Sequence, residues 1–274
     1  MEHLIGIFSG GGSHGAEKVG VLYKDKPKFY KTYGCSTGAL IAPLAALGEY
    51  EILKNSYLSV TDKDIFNVLP YDKNGKIRII NLIFRLLNGE KSIGESHNLL
   101  NLIRQFYTPE MHLIIKDKCT VVRYDVPNQR LEYINSGDVS YENFTKAMWH
   151  SCNVPLAMTF DQGKIDGGIV EVVPISKSLL DNPPSNSKIK VYLCRKENWN
   201  QHSNKIGTLV NFLSSLHNAM RKSIEYSDLK EGMLLAEAKG IPVEIDYQHP
   251  DLEGDALRFI PELMKQWFML GLNK

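Results

Sequence analysis

Twice within its first fifty residues the chain runs an apolar segment into a glycine-rich turn and then into a helical pattern. Leu4–Phe8 is a short apolar run that ends at Ser9-Gly10-Gly11-Gly12, and Ala16–Tyr23 then shows helical spacing. Lys28–Tyr33, with its β-favouring Phe29, Tyr30 and Tyr33, leads into Gly34-Cys35-Ser36-Thr37-Gly38. A helix of small residues follows over Ala39–Leu47. Strands separated by a helix return in the same direction. The repetition therefore predicts an α/β fold, with a central mostly parallel sheet flanked by helices in three layers.

Farther along, Ile77–Leu87, Asn98–Phe106 and Tyr141–His150 carry helical periodicity. Cys119–Tyr124 and Leu131–Ile134 read as two strands joined through Pro127-Asn128 in a hairpin-like pair. Lys188–Cys194 alternates as a strand, Ile206–Ile224 reads as a helix and Pro242–Ile245 as a last strand. The tail, Pro261–Leu270, is an amphipathic helix that starts on a proline, where a missing N–H costs little. No repeat, low-complexity tract or linker divides the 274 residues. A single domain over 1–274 is expected, with its motifs within 4–180 and a helical C-terminal part over 205–271. At 43% hydrophobic residues, it can bury a core without disulfide or metal staples.

Charge narrows the partners. The 32 Lys+Arg nearly balance 31 Asp+Glu, and no dense basic block occurs, so nucleic acid is not an expected partner. The four cysteines, Cys35, Cys119, Cys152 and Cys194, form no C-x-x-C pair and no zinc spacing with histidine. Reduced thiols in a cytoplasmic compartment are expected. The opening MEHLIGIFSGGG lacks a basic leader and a long apolar core, so no signal peptide is expected. Ile77–Leu87 is broken by Arg78, Asn81 and Arg85 and cannot span a bilayer, so any membrane contact is expected to be peripheral.

Three pieces carry chemistry. Gly34-Cys35-Ser36-Thr37-Gly38 is a G-x-S-x-G between a strand and a helix. A nucleophilic serine needs a tight turn that exposes its Oγ, and flanking glycines let the turn close. The helix that follows points N–H groups at the reacting centre. A Gly/Ser-rich turn without chemistry reads the same way. Gly10-Gly11-Gly12-Ser13-His14-Gly15 exposes successive N–H groups suited to an oxyanion or a phosphate. It also satisfies G-x-G-x-x-G, but the second strand ends in Tyr33-Gly34 rather than in an acid, and no G-K-[ST] follows. Asp166-Gly167-Gly168 alone is an ordinary turn. It lies shortly after Ser151-Cys152-Asn153-Val154-Pro155 and the apolar segment Leu156–Phe160.

Together these pieces resemble the patatin-like phospholipase family. In that family a Gly-rich oxyanion loop precedes a G-x-S-x-G turn, and a D-G-[GA] turn supplies the base well over a hundred residues later. An S/A-x-x-x-P segment lies just upstream of that aspartate. The matching residues here are Gly10–Gly15, Gly34–Gly38, Ser151–Pro155 and Asp166–Gly168, within about the first 180 residues. Two positions depart from the pattern. His14 stands where the family usually has Arg or Lys bracing the loop, and Val172-Val173-Pro174 keeps only the proline of an Asn-Pro pair.

The resemblance implies a lipid acyl hydrolase of phospholipase A or lysophospholipase type. Ser36 would be the nucleophile, Asp166 the base, Gly10, Gly11 and Gly12 the oxyanion hole, and Gly34 and Gly38 the glycines of the nucleophile turn. It implies a lipid substrate and no metal or cofactor. An α/β-hydrolase triad would need a histidine after the acid, and His202, His217 and His249 are the candidates. The nucleophile turn follows only the second strand, which favours a dyad. Ile77–Leu87 or the tail helix could wall an acyl pocket, with Ile79 and Ile83 as test positions, although packing onto the domain explains both helices as well. An acyltransferase using the same acyl-serine, a nucleotide-binding module and a lipid-binding inactive relative are the competing readings.

Overall fold

The computed structural model describes residues 2–72, 84–85, 87–197 and 209–274, with side chains from 219 onward in the last stretch. Strand β1 (His3–Phe8) pairs in parallel with β2 (Lys31–Cys35) on one side and with β6 (Ser187–Tyr192) on the other. β2 pairs in parallel with β3 (Cys119–Asp125), and β6 with β7 (Val243–Asp246). The antiparallel β4 (Arg130–Asn135) closes the β3 edge, giving the order β4-β3-β2-β1-β6-β7. The expected α/β architecture with a mostly parallel sheet is observed.

The short β5 (Lys164–Asp166) runs antiparallel to β3 and has its own place in the sheet. β3 offers Cys119–Val122 to β2, with Cys35 opposite Val122. It offers Arg123–Asp125 to β5, with Asp166 opposite Arg123. β2 and β5 thus share one edge of β3 and meet head-on, β2 ending at Cys35 and β5 at Asp166.

Period-2 alternation sorts the strand side chains into two cores. Ile5, Ile7, Ile189 and Val191 face one layer, made of α8 (Ile175–Leu180) and α9 (Leu209–Ala238). Phe8 and Tyr192 face the larger layer, built on α1 (Gly15–Asp25), α2 (Thr37–Leu47) and α3 (Tyr50–Leu58). Also in that layer are α4 (Asp62–Ile65), α5 (His97–Phe106), α6 (Pro109–Ile115), α7 (Tyr141–Cys152) and α10 (Pro261–Leu272).

Differences from the sequence reading have local causes. The second strand is Lys31–Cys35, three residues later than its aromatics suggested. The Tyr30 N–H does bond the Leu4 carbonyl, but the paired register with β1 begins only at Lys31. From Leu209 onward, the helix expected over Ile206–Ile224 is part of α9, which continues to Ala238. The tail helix buries Met264, Trp267 and Phe268 against α1, so its apolar face is core. Most of the helix expected over Ile77–Leu87, including Ile79 and Ile83, lies outside the described residues. Among the described residues no helix is long and apolar enough to cross a membrane.

Candidate active site

The carboxyl ends of β1, β2 and β6 carry the loops that build the site. The strand order reverses at β1, with β2 on one side and β6 on the other, and α/β sheets open their ligand crevices at such a point.

Ser36 stands at the tip of β2 with φ 56° and ψ −126°, a left-handed turn residue with a side chain. Such strain persists only where the surroundings enforce it. They do so here through its two glycines. A Cβ on Gly34 would lie 2.1 Å from the Gly38 carbonyl oxygen, and one on Gly38 would lie 2.1 Å from that of Phe8. The Ser151–Pro155 segment at the end of α7 supplies further ties. Ser151 Oγ accepts the Ser36 N–H at 2.9 Å, the Cys152 thiol donates to the Ser36 carbonyl at 3.2 Å, and the Asn153 carbonyl accepts the Asp166 N–H at 3.0 Å. One segment thus positions both candidate catalytic residues.

The β3 edge brings Ser36 and Asp166 together, and the Ser36 side chain lies close enough to the Asp166 carboxyl to favour its charged form. Asp166 Oδ1 also accepts the Gly168 N–H at 2.8 Å and the Cys35 thiol at 3.6 Å. Burial pushes the Asp166 carboxyl above the usual carboxylate range, against those hydrogen bonds and the positive charge of Arg221. Burial beside Asp166 pushes the Cys35 thiol well up as well, so it stays a neutral donor and does not compete as a nucleophile.

The glycine loop meets three different walls. The Gly10 N–H donates to the Val172 carbonyl at 3.3 Å. A Cβ on Gly10 would lie 3.2 Å from Ser36 Cβ, so the loop passes directly beside Ser36. Gly11 lies against Cys194, and Gly12, at φ +56°, against the Ala256 carbonyl. The N–H groups of Gly11 and Gly12 have no acceptor among the described residues. The loop brace is neutral. Burial pushes His14 down to about 4, its Nε2 meets the Gly254 carbonyl at 3.2 Å, and its ring stands edge-on to Trp267. Gln248 meets its Nδ1 at 3.5 Å.

A cavity of about 880 Å³ opens on Ser36 and Asp166, within the usual range for ligand pockets. One wall is apolar, from Leu44, Val60, Leu99, Ile103, Tyr107 and Met158. Arg195, Lys196, Arg221 and the buried Glu225 line the cavity too. Sequence reasoning missed Arg221, which no local motif announces. Of the candidate triad histidines, His249 does not line the cavity and accepts the Asp251 N–H instead. His202 and the side chain of His217 lie outside the described part. Also among the described residues, no group of three His, Cys, Asp or Glu could hold a metal ion.

A family model described as Patatin-like phospholipase matches residues 6–178. The chain belongs to the patatin-like phospholipase family. No curated protein sequence matches it. Among solved structures it is similar to VipD from Legionella pneumophila, at 11% identity and a TM-score of 0.41, over 98% of this chain. The chain spans 66% of the length of VipD.

Proposed function

We propose that residues 1–274 form one catalytic unit that hydrolyses carboxylic esters of lipids through a Ser36–Asp166 dyad. The observation that carries this reading is the strained Ser36 beside a buried Asp166, both lining a cavity rich in apolar side chains. Asp166 takes the Ser36 Oγ proton as Oγ attacks the ester carbon. The N–H groups of Gly11 and Gly12 receive the oxyanion. Asp166 then protonates the departing alcohol and leaves an acyl-Ser36. A water deprotonated by the same carboxylate attacks the acyl group, and the proton returns to Ser36 Oγ as the fatty acid leaves. Raising the carboxyl above its ordinary range brings Asp166 closer to the working pH, which suits a general base. The acyl chain lies along the Leu44 and Leu99 wall.

An acceptor alcohol in place of water would make the same acyl-Ser36 a transferase intermediate, and product analysis with added alcohols separates the two. A dinucleotide on Gly10–Gly15 finds two of the loop's donors engaged, because the Ser13 N–H binds the Ala256 carbonyl at 2.8 Å and the Gly10 N–H binds Val172. The decisive test is hydrolysis of lipid and p-nitrophenyl esters by wild type and Ser36→Ala. Abolished turnover by Ser36→Ala, with a covalent fluorophosphonate adduct on wild type alone, is expected. Undiminished hydrolysis by Ser36→Ala overturns the reading.

A further inference from the structure

The far end of the segment that carries Asp166 is held by a carboxylate from another layer. Asp228, on α9, is partly buried, and its Oδ2 alone accepts two successive N–H groups, that of Val172 at 2.7 Å and that of Val173 at 3.0 Å. The docking of α9 leaves this carboxylate little freedom. Leu229 and Ala236 pack with Val172, Val173 and Ile175 in the second core. Gly232, one turn beyond Asp228 and on the same face of the helix, lies so near α8 that a Cβ there would stand 2.6 Å from Ile175 Cβ. Asp228 lies outside residues 6–178, the stretch that the family model matches.

Val172 is the next link, since its carbonyl accepts the Gly10 N–H at 3.3 Å. Gly10 is wedged between two side chains, for a Cβ there would stand 3.2 Å from Ser36 Cβ and 3.6 Å from Val172 Cγ1. The surroundings work against a charged acid at 228. Burial, and then Glu225 and Glu231, push Asp228 up to about 6, against its bonds to the Val173 and Val172 N–H groups. Asp228 in turn adds to the forces that raise Glu171. What an acid supplies here is the pair of charge-assisted hydrogen bonds. Without them two N–H groups of buried residues lose their acceptor, and the peptide that anchors Gly10 is free to turn.

Resting on the hydrolase reading above, we infer that Asp228 is a positioning residue: through the Val172 peptide it holds the glycine loop at the distance from Ser36 at which the Gly11 and Gly12 N–H groups meet the oxyanion. The same contact fixes the far end of the Asp166–Val172 segment, whose near end is fixed by the Asp166 N–H on the Asn153 carbonyl at 3.0 Å. One carboxylate on α9 therefore keeps the base and the oxyanion donors in step without touching the reacting atoms. Misplacement of a catalytic group by about 1 Å can cost about 100-fold in rate, so a loosened tie is readable in kcat.

The test measures kcat and KM on p-nitrophenyl butyrate, together with Tm, for wild type, Asp228→Leu, Asp228→Ala and Asp228→Asn. Leucine suits a helix packed on Val172 and Val173 and removes the acceptor. Alanine is a second truncation that keeps the comparison if leucine does not pack. Asparagine keeps the acceptor without the charge, and its amide oxygen can take both N–H groups as Oδ2 does. Asp228→Leu and Asp228→Ala should lower kcat about 10- to 100-fold and change KM less than about threefold, because the oxyanion develops only after the ester is bound. Asp228→Asn should recover kcat to within about fivefold of wild type, since it restores both hydrogen bonds. All rates are read well below the Tm of each variant, so lowered stability alone does not move them. Wild-type kcat in folded Asp228→Leu or Asp228→Ala overturns the proposal, and so does a loss confined to KM, which would make Asp228 a support of the cavity wall. Asp228→Asn as slow as Asp228→Leu also overturns it, because charge rather than hydrogen bonding would then matter. Those three results leave the hydrolase reading standing. No turnover by wild type removes that reading, and the proposal with it.

Discussion

Asp166→Asn separates the base from the rest of the site with little steric change. The amide oxygen can still accept the Gly168 N–H, now 2.8 Å from Oδ1, so the turn after β5 keeps its anchor. The amide nitrogen would then face Ser36 and cannot take its proton. Loss of a general base costs about 10²- to 10⁴-fold, or about 3–5 kcal/mol of transition-state stabilisation. Stability should not follow. The Asp166 carboxyl is raised in the folded protein, so its contribution is fully present below the unfolded pKa, about 3.9, and is lost as pH rises through the raised value. At pH 7 the buried charge is therefore a cost, and the asparagine removes it. We expect kcat on a soluble p-nitrophenyl ester to fall at least 100-fold with a Tm no lower than wild type. The acid limb of the wild-type pH–rate profile should lie above the ordinary carboxylate range. Retained activity within tenfold, or an acid limb at the ordinary aspartate value, would refute the argument; the former together with inactivity of His249→Ala would indicate a triad.

Gly12→Ala would place a Cβ 2.0 Å from the Ala256 carbonyl oxygen at a positive φ. It should displace the loop and cost about 10²- to 10³-fold in kcat, as for loss of an oxyanion donor, and steady-state rates within fivefold of wild type would contradict that. Glu171 is buried and pushed up to about 7, chiefly by burial and then by Asp228 and Glu231, against a bond with Tyr133. Its contribution is present below the unfolded value, about 4.3, and is lost as pH rises through about 7, amounting to on the order of 4 kcal/mol. Urea titrations between pH 5 and 8 should therefore show a loss of stability that Glu171→Gln flattens, and parallel curves for the two proteins would show that Glu171 does not titrate in this window.

Much of the site is legible because local chemistry dictates it. The glycines of G-x-S-x-G are demanded by carbonyls packed on the turn, and Ser151 and Asn153 sit where the sequence motif placed them because they bond the backbones of Ser36 and Asp166. The helical tail and the strands after 119 follow from periodicity. What stayed hidden depends on contacts across the chain. The shift of β2 by three residues is set by its register with β1, not by Phe29 and Tyr30. Which glycine keeps a free N–H depends on Val172, whose carbonyl is turned toward Gly10 while Asp228 holds its N–H at 2.7 Å. Arg221 reaches the cavity from a helix in the second layer, so its importance lies in where α9 docks rather than in its neighbours along the sequence. His14 replaces a cation with a neutral brace that needs Gly254, Gln248 and Trp267, all far away in the chain.

The shared edge of β3 acts as a ruler. Cys35 and Asp166 are 131 positions apart in the chain, yet they sit opposite adjacent residues, Val122 and Arg123, and one strand step is about 3.3 Å. The gap between the proposed nucleophile and base is therefore set by the pitch of a third strand and not by any of the loops that join them. Helices between residues 50 and 115 can lengthen, shorten or be exchanged, reshaping the acyl wall while the reacting pair keeps its spacing. A single residue inserted into β3 between Val122 and Arg123 would do the opposite, parting the pair while leaving every one of the sequence motifs intact.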